Sequence, residues 1–236
     1  MKRLARIAGS LYLVIILCGL FSEMFVRSKL IVAGDAAATA ANIGSHQVLF
    51  RIGFISDLIM VMSDVGVALL FYILLKEVNA GLSLLASFFR LAQATVLGLN
   101  LLNLYMPLLL LGQSDYLGAL SENGVNGLAM LFLTAHGYGY LISGVFFGVS
   151  CVILGYLLFK ASFFPRWLGV LVISAGGSYL VDSMTNFVVP QYAHVSEILV
   201  VTVAVISELS LCLFLLIKGV GVPPGKQQAH PVQQPA

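Results

Sequence analysis

The sequence predicts an all-α integral membrane protein, a bundle of six transmembrane helices with both termini in the cytoplasm. Three observations support this prediction. First, only 9% of the 236 residues are charged and 60% are hydrophobic, whereas a soluble domain carries about 25% charged residues. Second, six segments are long and apolar enough to cross a bilayer. Third, the basic residues between these segments are concentrated on one side of the membrane.

The six apolar segments each reach the ~20 residues that a helix needs to cross the hydrocarbon core of a bilayer. The predicted spans are about 5–25, 48–75, 82–111, 127–159, 167–189 and 196–218. The first is longer than the apolar core of a signal peptide, so we expect it to remain uncleaved. Together the spans form one transmembrane domain over residues 1–218. The tail at 219–236 is rich in Pro, Gly and Gln, which predicts a disordered cytoplasmic segment.

The basic residues predict the orientation, because Lys and Arg are enriched in cytoplasmic loops. With the N-terminus inside, the outer side holds only Arg27 and Lys29. The cytoplasmic side holds Lys2, Arg3, Arg6, Lys76, Lys160, Arg166, Lys218 and Lys226. This asymmetry predicts that both ends are cytoplasmic, and an even number of spans agrees with it.

Two outer segments connect the first four spans. In the first, Asp35 precedes a run of alanines and is a plausible N-cap for a short surface helix that leads into span two. The second, Gly112–Asn126, is polar and carries Asp115 and Glu122. We therefore expect the first outer segment to be helical and the second to be a loop.

Charged side chains inside the spans are costly, so each should face the bundle interior and have a partner. Asp57 and Asp64 in span two are seven residues apart and share a helical face. Arg90 and Asn100 share a face of span three with Gln93. Matching depths predict an ion pair between Asp64 and Arg90, with Asp57 near Asn100.

The remaining spans carry His136 in span four, Asp182 in span five and Glu208 in span six. Two interpretations compete for the polar set. In one, the polar contacts fix which helices meet, each contributing only ~0.6–2 kcal/mol. In the other, they line a ligand site or a proton path, which would include Asp57, Asp64, Arg90, Asn100, His136, Asp182 and Glu208.

Metal and hydrolase chemistry have little support in the sequence. His136, Asp182 and Glu208 are acceptable zinc ligands, but they are dispersed and no H-E-x-x-H pair occurs. No G-x-S-x-G nucleophile elbow occurs either. Cys18, Cys151 and Cys212 all lie in apolar stretches, which argues against disulfides and thiolate metal sites. We therefore expect no metal, no cofactor and no catalytic residue.

Small residues in spans four and five predict close helix packing, because small side chains let two helices approach within a bilayer. Gly144 and Gly148 form a G-x-x-x-G motif in span four, and Gly169 and Gly176 lie seven apart in span five. The plain interpretation packs span four against span five. The alternative is a homodimer seam on the Gly144–Gly148 face.

Several stretches resemble a family of bacterial six-helix integral membrane proteins catalogued as a domain of unknown function (DUF4386). They include Leu49-Phe-Arg-Ile-Gly53, Gly155-Tyr-Leu-Leu-Phe-Lys160, Pro165-Arg-Trp-Leu-Gly169 and Tyr179-Leu-Val-Asp182. The resemblance extends from about Arg6 to Lys218. It implies six helices and a bacterial inner membrane, and it singles out Arg51, Arg90, His136 and Asp182 as positions of the family pattern. It implies no activity.

The leading hypothesis is a non-catalytic membrane protein that binds or translocates a small ligand, a lipid or a proton through its polar interior. One alternative is an assembly or regulatory protein that forms a homodimer or binds a membrane partner through the Gly144–Gly148 face. Another is a metal-dependent intramembrane enzyme that uses His136 with the acids. The lipid bilayer is the expected environment. No run of Lys or Arg points to nucleic acid.

Overall fold

The computed structural model describes residues 1–112, 118 and 120–220, and every regular element in these residues is helical. The elements, in chain order, are α1 (Lys2–Leu20), a π-helix (Phe21–Arg27), α2 (Ser28–Leu30), α3 (Ala36–Ser45), α4 (Gln47–Leu75), α5 (Ala80–Leu111), α6 (Glu122–Lys160), α7 (Arg166–Val188), a 3-10 turn (Pro190–Tyr192) and α8 (Ala193–Ile217). Asp115 and most of the predicted tail lie outside the described residues.

Six helices are long and apolar enough to cross a membrane, which confirms the predicted six-span architecture. They are Lys2–Leu30, Gln47–Leu75, Ala80–Leu111, Glu122–Lys160, Arg166–Val188 and Pro190–Ile217. The first continues five residues past its predicted end, because the π-helix joins α1 to α2 without a break. α6 has 39 residues and is roughly 58 Å long, which exceeds a hydrocarbon core of about 30 Å.

Local caps set where several helices begin. The Asp35 carboxylate accepts a hydrogen bond from the backbone N–H of Ala38 at 2.9 Å, which confirms that residue as the N-cap of α3. Asn79 caps α5 in the same way, and Ser121 caps α6. α3 is not simply a surface helix, since Thr39, Ala40 and Ile43 are buried and it contacts α5 and α6.

The six spans form a closed ring in sequence order. Each span packs on the next one, and α8 returns to pack on α1. Up-and-down connectivity places the start of α1 and the end of α8 at the same end of the ring. We call this the terminal end, and the opposite end, which carries α3, the distal end.

Hydroxyl and thiol groups bridge most neighbouring helices of the ring by donating to backbone carbonyls, which lets the chain satisfy polar groups without water. The bonds are Ser22 to Gly53, Ser87 to Ala68, Ser150 to Ala86, Ser183 to Leu141 and, at 3.5 Å, Cys212 to Gly9. The cysteines are free thiols. These bonds fix the helix order independently of the charged residues.

The two ends of the ring are filled differently. At the terminal end a large apolar cluster fills the interior, and Leu74, Leu157 and Leu215 within it are fully buried. At the distal end a smaller cluster around Ile43 and Phe50 lies beneath α3. Between these two clusters the ring encloses a cavity.

Candidate functional site

The cavity in the middle of the ring has a volume of about 440 Å³ and is lined by residues from all six spans. This volume lies within the 300–1,000 Å³ typical of small-molecule sites. Its polar lining side chains are Asp64, Arg90, Gln93, Tyr140, Ser143, Tyr179, Asp182, Ser183 and Glu208. Most of the other lining residues are aliphatic. The cavity is therefore amphipathic.

The floor of the cavity holds the ion pair that the helix spacing predicts. The Arg90 guanidinium donates to the Asp64 carboxylate at 2.5 Å, and both residues are buried. Gln93 donates to the other carboxylate oxygen of Asp64 at 3.3 Å. The Arg90 guanidinium lies 5.2 Å from the ring centre of Tyr12 and 5.0 Å from that of Phe147, so two rings replace part of its hydration.

The floor lies about 15 Å from the terminal ends of the helices that form it. Arg90 is ten residues from the start of α5, which places it about 15 Å along the helix from the terminal end. Glu208 is nine residues from the end of α8, at about 14 Å. Half of a hydrocarbon core is about 15 Å. Arg90 and Glu208 therefore lie about half a hydrocarbon thickness away from the terminal ends of their helices.

Several polar atoms at the floor lack partners. The Nε and Nη1 atoms of Arg90 and the Oε1 atom of Gln93 are buried without a hydrogen-bond partner among the described residues. An unpaired buried polar group costs about 1–3 kcal/mol. Arg90 also borders a second, water-sized cavity of about 10 Å³ that is lined by Ser83, Ser87 and Ser150. These atoms have almost no accessible surface, so a molecule in the cavity can bond to them only after a small side-chain shift.

Glu208 completes the floor from α8. Its carboxylate accepts a hydrogen bond from the Tyr179 hydroxyl at 2.8 Å. The Tyr179 ring packs edge-on against Phe147, with ring centres 4.9 Å apart. Among the described residues, no cationic side chain forms an ion pair with Glu208, because Arg90 is bound to Asp64.

Asp182 lies on the distal side of the cavity. Its carboxylate accepts hydrogen bonds from the Ser196 hydroxyl at 2.7 Å and from Asn186 at 3.2 Å. The bond to Ser196 joins α7 to the first turn of α8. Asp182 therefore has a structural role in addition to facing the cavity, and the described residues supply it with no cation.

The cavity opens between the distal halves of α1 and α8. Its lining residues there are Leu20, Val201 and Val205, which are 45%, 56% and 44% exposed. Nearer the terminal end the same two helices close together, where a Cβ on Gly9 would lie 3.0 Å from Leu215 Cβ. The mouth is apolar and faces the region that lipid would occupy.

Asp57 has a cationic partner that the helix spacing does not predict. It bonds to Arg27 at 2.5 Å, and its side chain is fully buried. The sequence predicts Arg27 on the outer side, outside the spans. In the structure Arg27 lies at the end of the π-helix, and its side chain is 11% exposed. Arg27 also bonds to Glu23 at 2.8 Å and lies 5.6 Å from the ring centre of Tyr140. This second ion pair is distal to the first.

His136 and Asn100 form a bracket between α6 and α5. The Asn100 side-chain amide donates to the His136 backbone carbonyl at 2.8 Å, and His136 Nδ1 lies 3.2 Å from the Asn100 carbonyl. Neither residue lines the cavity. Of the seven residues predicted to line a ligand or proton path, the cavity contains four, namely Asp64, Arg90, Asp182 and Glu208. Asp57, Asn100 and His136 hold helices together beside it.

The glycines of spans four and five pack these two helices in backbone contact. A Cβ on Gly148 would lie 2.9 Å from the Gly176 carbonyl oxygen, and one on Gly169 would lie 2.6 Å from that of Gly155. A Cβ on Gly144 would lie 3.0 Å from the Ser183 hydroxyl oxygen of α7. The Gly144–Gly148 face is therefore covered within the chain. A homodimer would need another surface.

The enzyme alternative needs His136, Asp182 and Glu208 to converge. In the described ranges, no three His, Cys, Asp or Glu side chains are grouped closely enough to hold a metal ion. Glu208 and Asp182 face the cavity, whereas His136 faces α5. The geometry does not support this ligand set.

The sequence does not reveal that Arg27 lies in the interior or that Glu208 has a partner. Glu23 four residues before Arg27 is a weak signal that the helix continues. A second signal is Asp57 itself, because a nearby cation stabilises a buried carboxylate. No periodicity in the sequence reveals the π-helical turns that place Arg27 opposite Asp57.

Comparison with known proteins gives a family and one relative. Residues 7–219 match the family described as "Domain of unknown function (DUF4386)". A protein of Archaeoglobus fulgidus, described as "Uncharacterized protein", is 28% identical over 130 residues. This match covers 55% of the present chain and 64% of the archaeal protein. No solved structure matches the chain.

Proposed function

The chain belongs to the family described as "Domain of unknown function (DUF4386)", and we propose its function from the cavity. It takes up one amphipathic molecule from the bilayer and holds the polar head of that molecule at the floor formed by Arg90, Gln93 and Glu208. The protein acts as a non-catalytic binding protein in a bacterial cytoplasmic membrane. Its N- and C-termini lie in the cytoplasm, as the distribution of basic residues supports.

One observation carries this proposal: a cavity of about 440 Å³ lies deep inside the bundle, next to buried polar atoms that have no partner among the described residues. Each unsatisfied buried group is costly, so a bound molecule that bonds to these atoms would stabilise the protein. The Asp64–Arg90 pair is a structural contact in part, but the Nε and Nη1 atoms of Arg90 and the Oε1 atom of Gln93 have no partner among the described residues. A ligand head would satisfy them.

The shape of the ring favours uptake and binding over conduction through a pore. The cavity opens sideways between α1 and α8. The terminal half of the ring is filled by the large apolar cluster. A molecule with an apolar tail can enter from lipid along α8 without crossing an aqueous mouth.

Native mass spectrometry of protein purified from its own membranes tests the proposal, with a cavity-filling variant. Gly137 lines the cavity, and a Cβ added there has nothing within 4 Å. Gly137→Phe should fill the cavity without disturbing α6. The matched control is Gly127→Phe on the same helix, where a Cβ also meets nothing within 4 Å but the residue does not line the cavity.

The wild type and Gly127→Phe should carry one stoichiometric small molecule, and Gly137→Phe should carry none. A ligand-free mass for the folded wild type would overturn the proposal. Equal occupancy in both variants would also overturn it, because the molecule would then be bound elsewhere.

A further inference from the structure

The lining of the cavity carries an excess of negative formal charge. Three carboxylates, from Asp64, Asp182 and Glu208, face it together with one guanidinium, that of Arg90. Arg90 is already neutralised by Asp64 at 2.5 Å. Glu208 and Asp182 are therefore left with hydroxyl and amide partners in the described part of the chain.

Aromatic rings surround the uncompensated carboxylate at the floor. Tyr179 donates to Glu208, and Phe147 packs against the Tyr179 ring with centres 4.9 Å apart. Tyr140 contributes a third ring to the lining. Carboxylates combined with aromatic faces attract cations, and this attraction strengthens where water is excluded.

A separate observation concerns hydrogen bonding and also points to a cationic head with N–H groups. The Oε1 atom of Gln93 is an acceptor without a partner among the described residues, and Gln93 is only 5% exposed while it lines the cavity. An ammonium group has three donors and no acceptor. It can bond to Glu208 and, after a rotation of the Gln93 side chain that exposes its Oε1 atom, to Gln93 as well. The free N–H groups of Arg90 can take a neutral oxygen of the same head or a water in the adjoining 10 Å³ space.

From this lining we infer that the bound amphipathic molecule is a lipophilic amine in its protonated form, with the ammonium group between Glu208 and Gln93 and the apolar tail along α8 towards Val201. This inference rests on the proposed function, since it specifies the ligand of the same cavity. An anionic head would bring like charge towards Glu208 and Asp182, and a neutral head would leave both carboxylates uncompensated.

Three probes with the same twelve-carbon chain separate these cases: dodecylamine, dodecanol and dodecanoic acid. Each is titrated separately into the purified full-length protein in lipid nanodiscs, and occupancy is read by native mass spectrometry. Dodecylamine should bind at least about tenfold more tightly than the other two, since one close charge pair in a partly excluded site exceeds 1.4 kcal/mol. Gly137→Phe should abolish this binding.

Two isosteric variants test the charge assignment. Glu208→Gln keeps an acceptor for Tyr179 and should reduce the preference for the amine about tenfold. Asp182→Asn should reduce it less, because Asp182 is engaged by Ser196 and Asn186. The control is Glu197→Gln on the same helix, whose side chain is 69% exposed and should leave the preference unchanged.

The outcomes distinguish the identity of the ligand from the existence of a ligand site. If dodecanol or dodecanoic acid binds as tightly as the amine in a manner that Gly137→Phe abolishes, the cavity is a ligand site and the amine assignment is wrong. If Glu197→Gln lowers the preference as much as Glu208→Gln, the amine is held by surface charge and the assignment is again wrong. If none of the three probes occupies the cavity, both the assignment and the proposed function fail.

Discussion

Two helix pairs in the ring show opposite designs. α6 and α7 are in backbone contact along their length through four glycines, and that wall is sealed. α1 and α8 meet closely around Gly9 and Cys212, near the terminal end, and separate where Leu20 and Val201 line the cavity. The ring is therefore closed where small residues let two helices come into contact. The gap in the ring lies where bulky aliphatic side chains replace them.

Breaking the sealed wall should have the largest effect. Gly155→Leu or Gly169→Leu places a side chain against backbone at 2.6–2.7 Å, which neither helix can relieve by rotamer changes. We expect a loss of about 3 kcal/mol or more, enough to prevent recovery of a folded monomer. Size-exclusion chromatography and thermal unfolding in detergent would show it.

Gly177→Leu is the control for this wall, because a Cβ there meets nothing within 4 Å. This variant should fold like the wild type. Normal thermal stability of Gly155→Leu would mean that the α6–α7 contact is not what closes the ring.

Removing one partner of the buried ion pair at the floor should have the next largest effect. Arg90→Gln leaves the Asp64 carboxylate buried without a cation, which we expect to cost about 3–5 kcal/mol. Asp64→Asn should cost a similar amount, and the double variant should recover part of the loss. Unfolding free energies of the four proteins give the coupling directly, and strictly additive losses would contradict a coupled pair.

Arg27→Gln provides a comparison between the two ion pairs. Arg27 also bonds to the exposed Glu23 and lies nearer the distal end, where water can reach it more easily. We expect its loss to be smaller than that of Arg90→Gln. An equal or larger loss would place the main electrostatic support of the bundle at the π-helix.

Disturbing the close contacts between α1 and α8 should lower the stability less than disturbing those between α6 and α7. A Cβ on Gly9 lies 3.0 Å from Leu215 and Leu216, so Gly9→Ala requires a shift of a few tenths of an ångström. We expect a loss of about 1 kcal/mol, at the low end of overpacking effects. A loss comparable to that of Gly155→Leu, measured by the same thermal unfolding, would remove the contrast between the two helix pairs.

The smallest effect on stability should come from the mouth. Val201→Phe adds bulk at a 56% exposed position of the cavity mouth and should change the unfolding free energy by less than about 0.5 kcal/mol. It should nevertheless slow ligand exchange, because the tail leaves along this side. Unchanged dissociation kinetics in nanodiscs would argue that molecules reach the cavity by another route.

The sequence predicts the parts of this structure that depend on helix periodicity. Length and apolarity place the six spans, and seven-residue spacing with matched depth places Asp64 opposite Arg90. Asp35 is recognisable as a cap because its chemistry is local. The distance between two helices depends instead on side chains from both, so neither the cavity nor its mouth can be read from one segment.

Arg27 shows a different limit of prediction from the sequence. A regular α-helix turns 100° per residue, and a π-helical stretch alters that rotation, so positions after residue 21 no longer follow the expected face. The predicted proximity of Asp57 to Asn100 used depth alone. Depth alone does not show that Arg27, a cation from the first span, binds Asp57.

Photolabelling in lipid nanodiscs with a small neutral lipophilic diazirine tests whether the cavity is open to the bilayer. Met60 and Leu97 line the cavity and are only 7% and 5% exposed, so label on them reports reagent inside the cavity. We expect label on Met60 and Leu97 in the wild type and in Gly127→Phe, and loss of that label in Gly137→Phe. Leu74 and Leu157 in the apolar cluster should carry no label. Label confined to outward-facing residues in the wild type would contradict a cavity that is open to the bilayer.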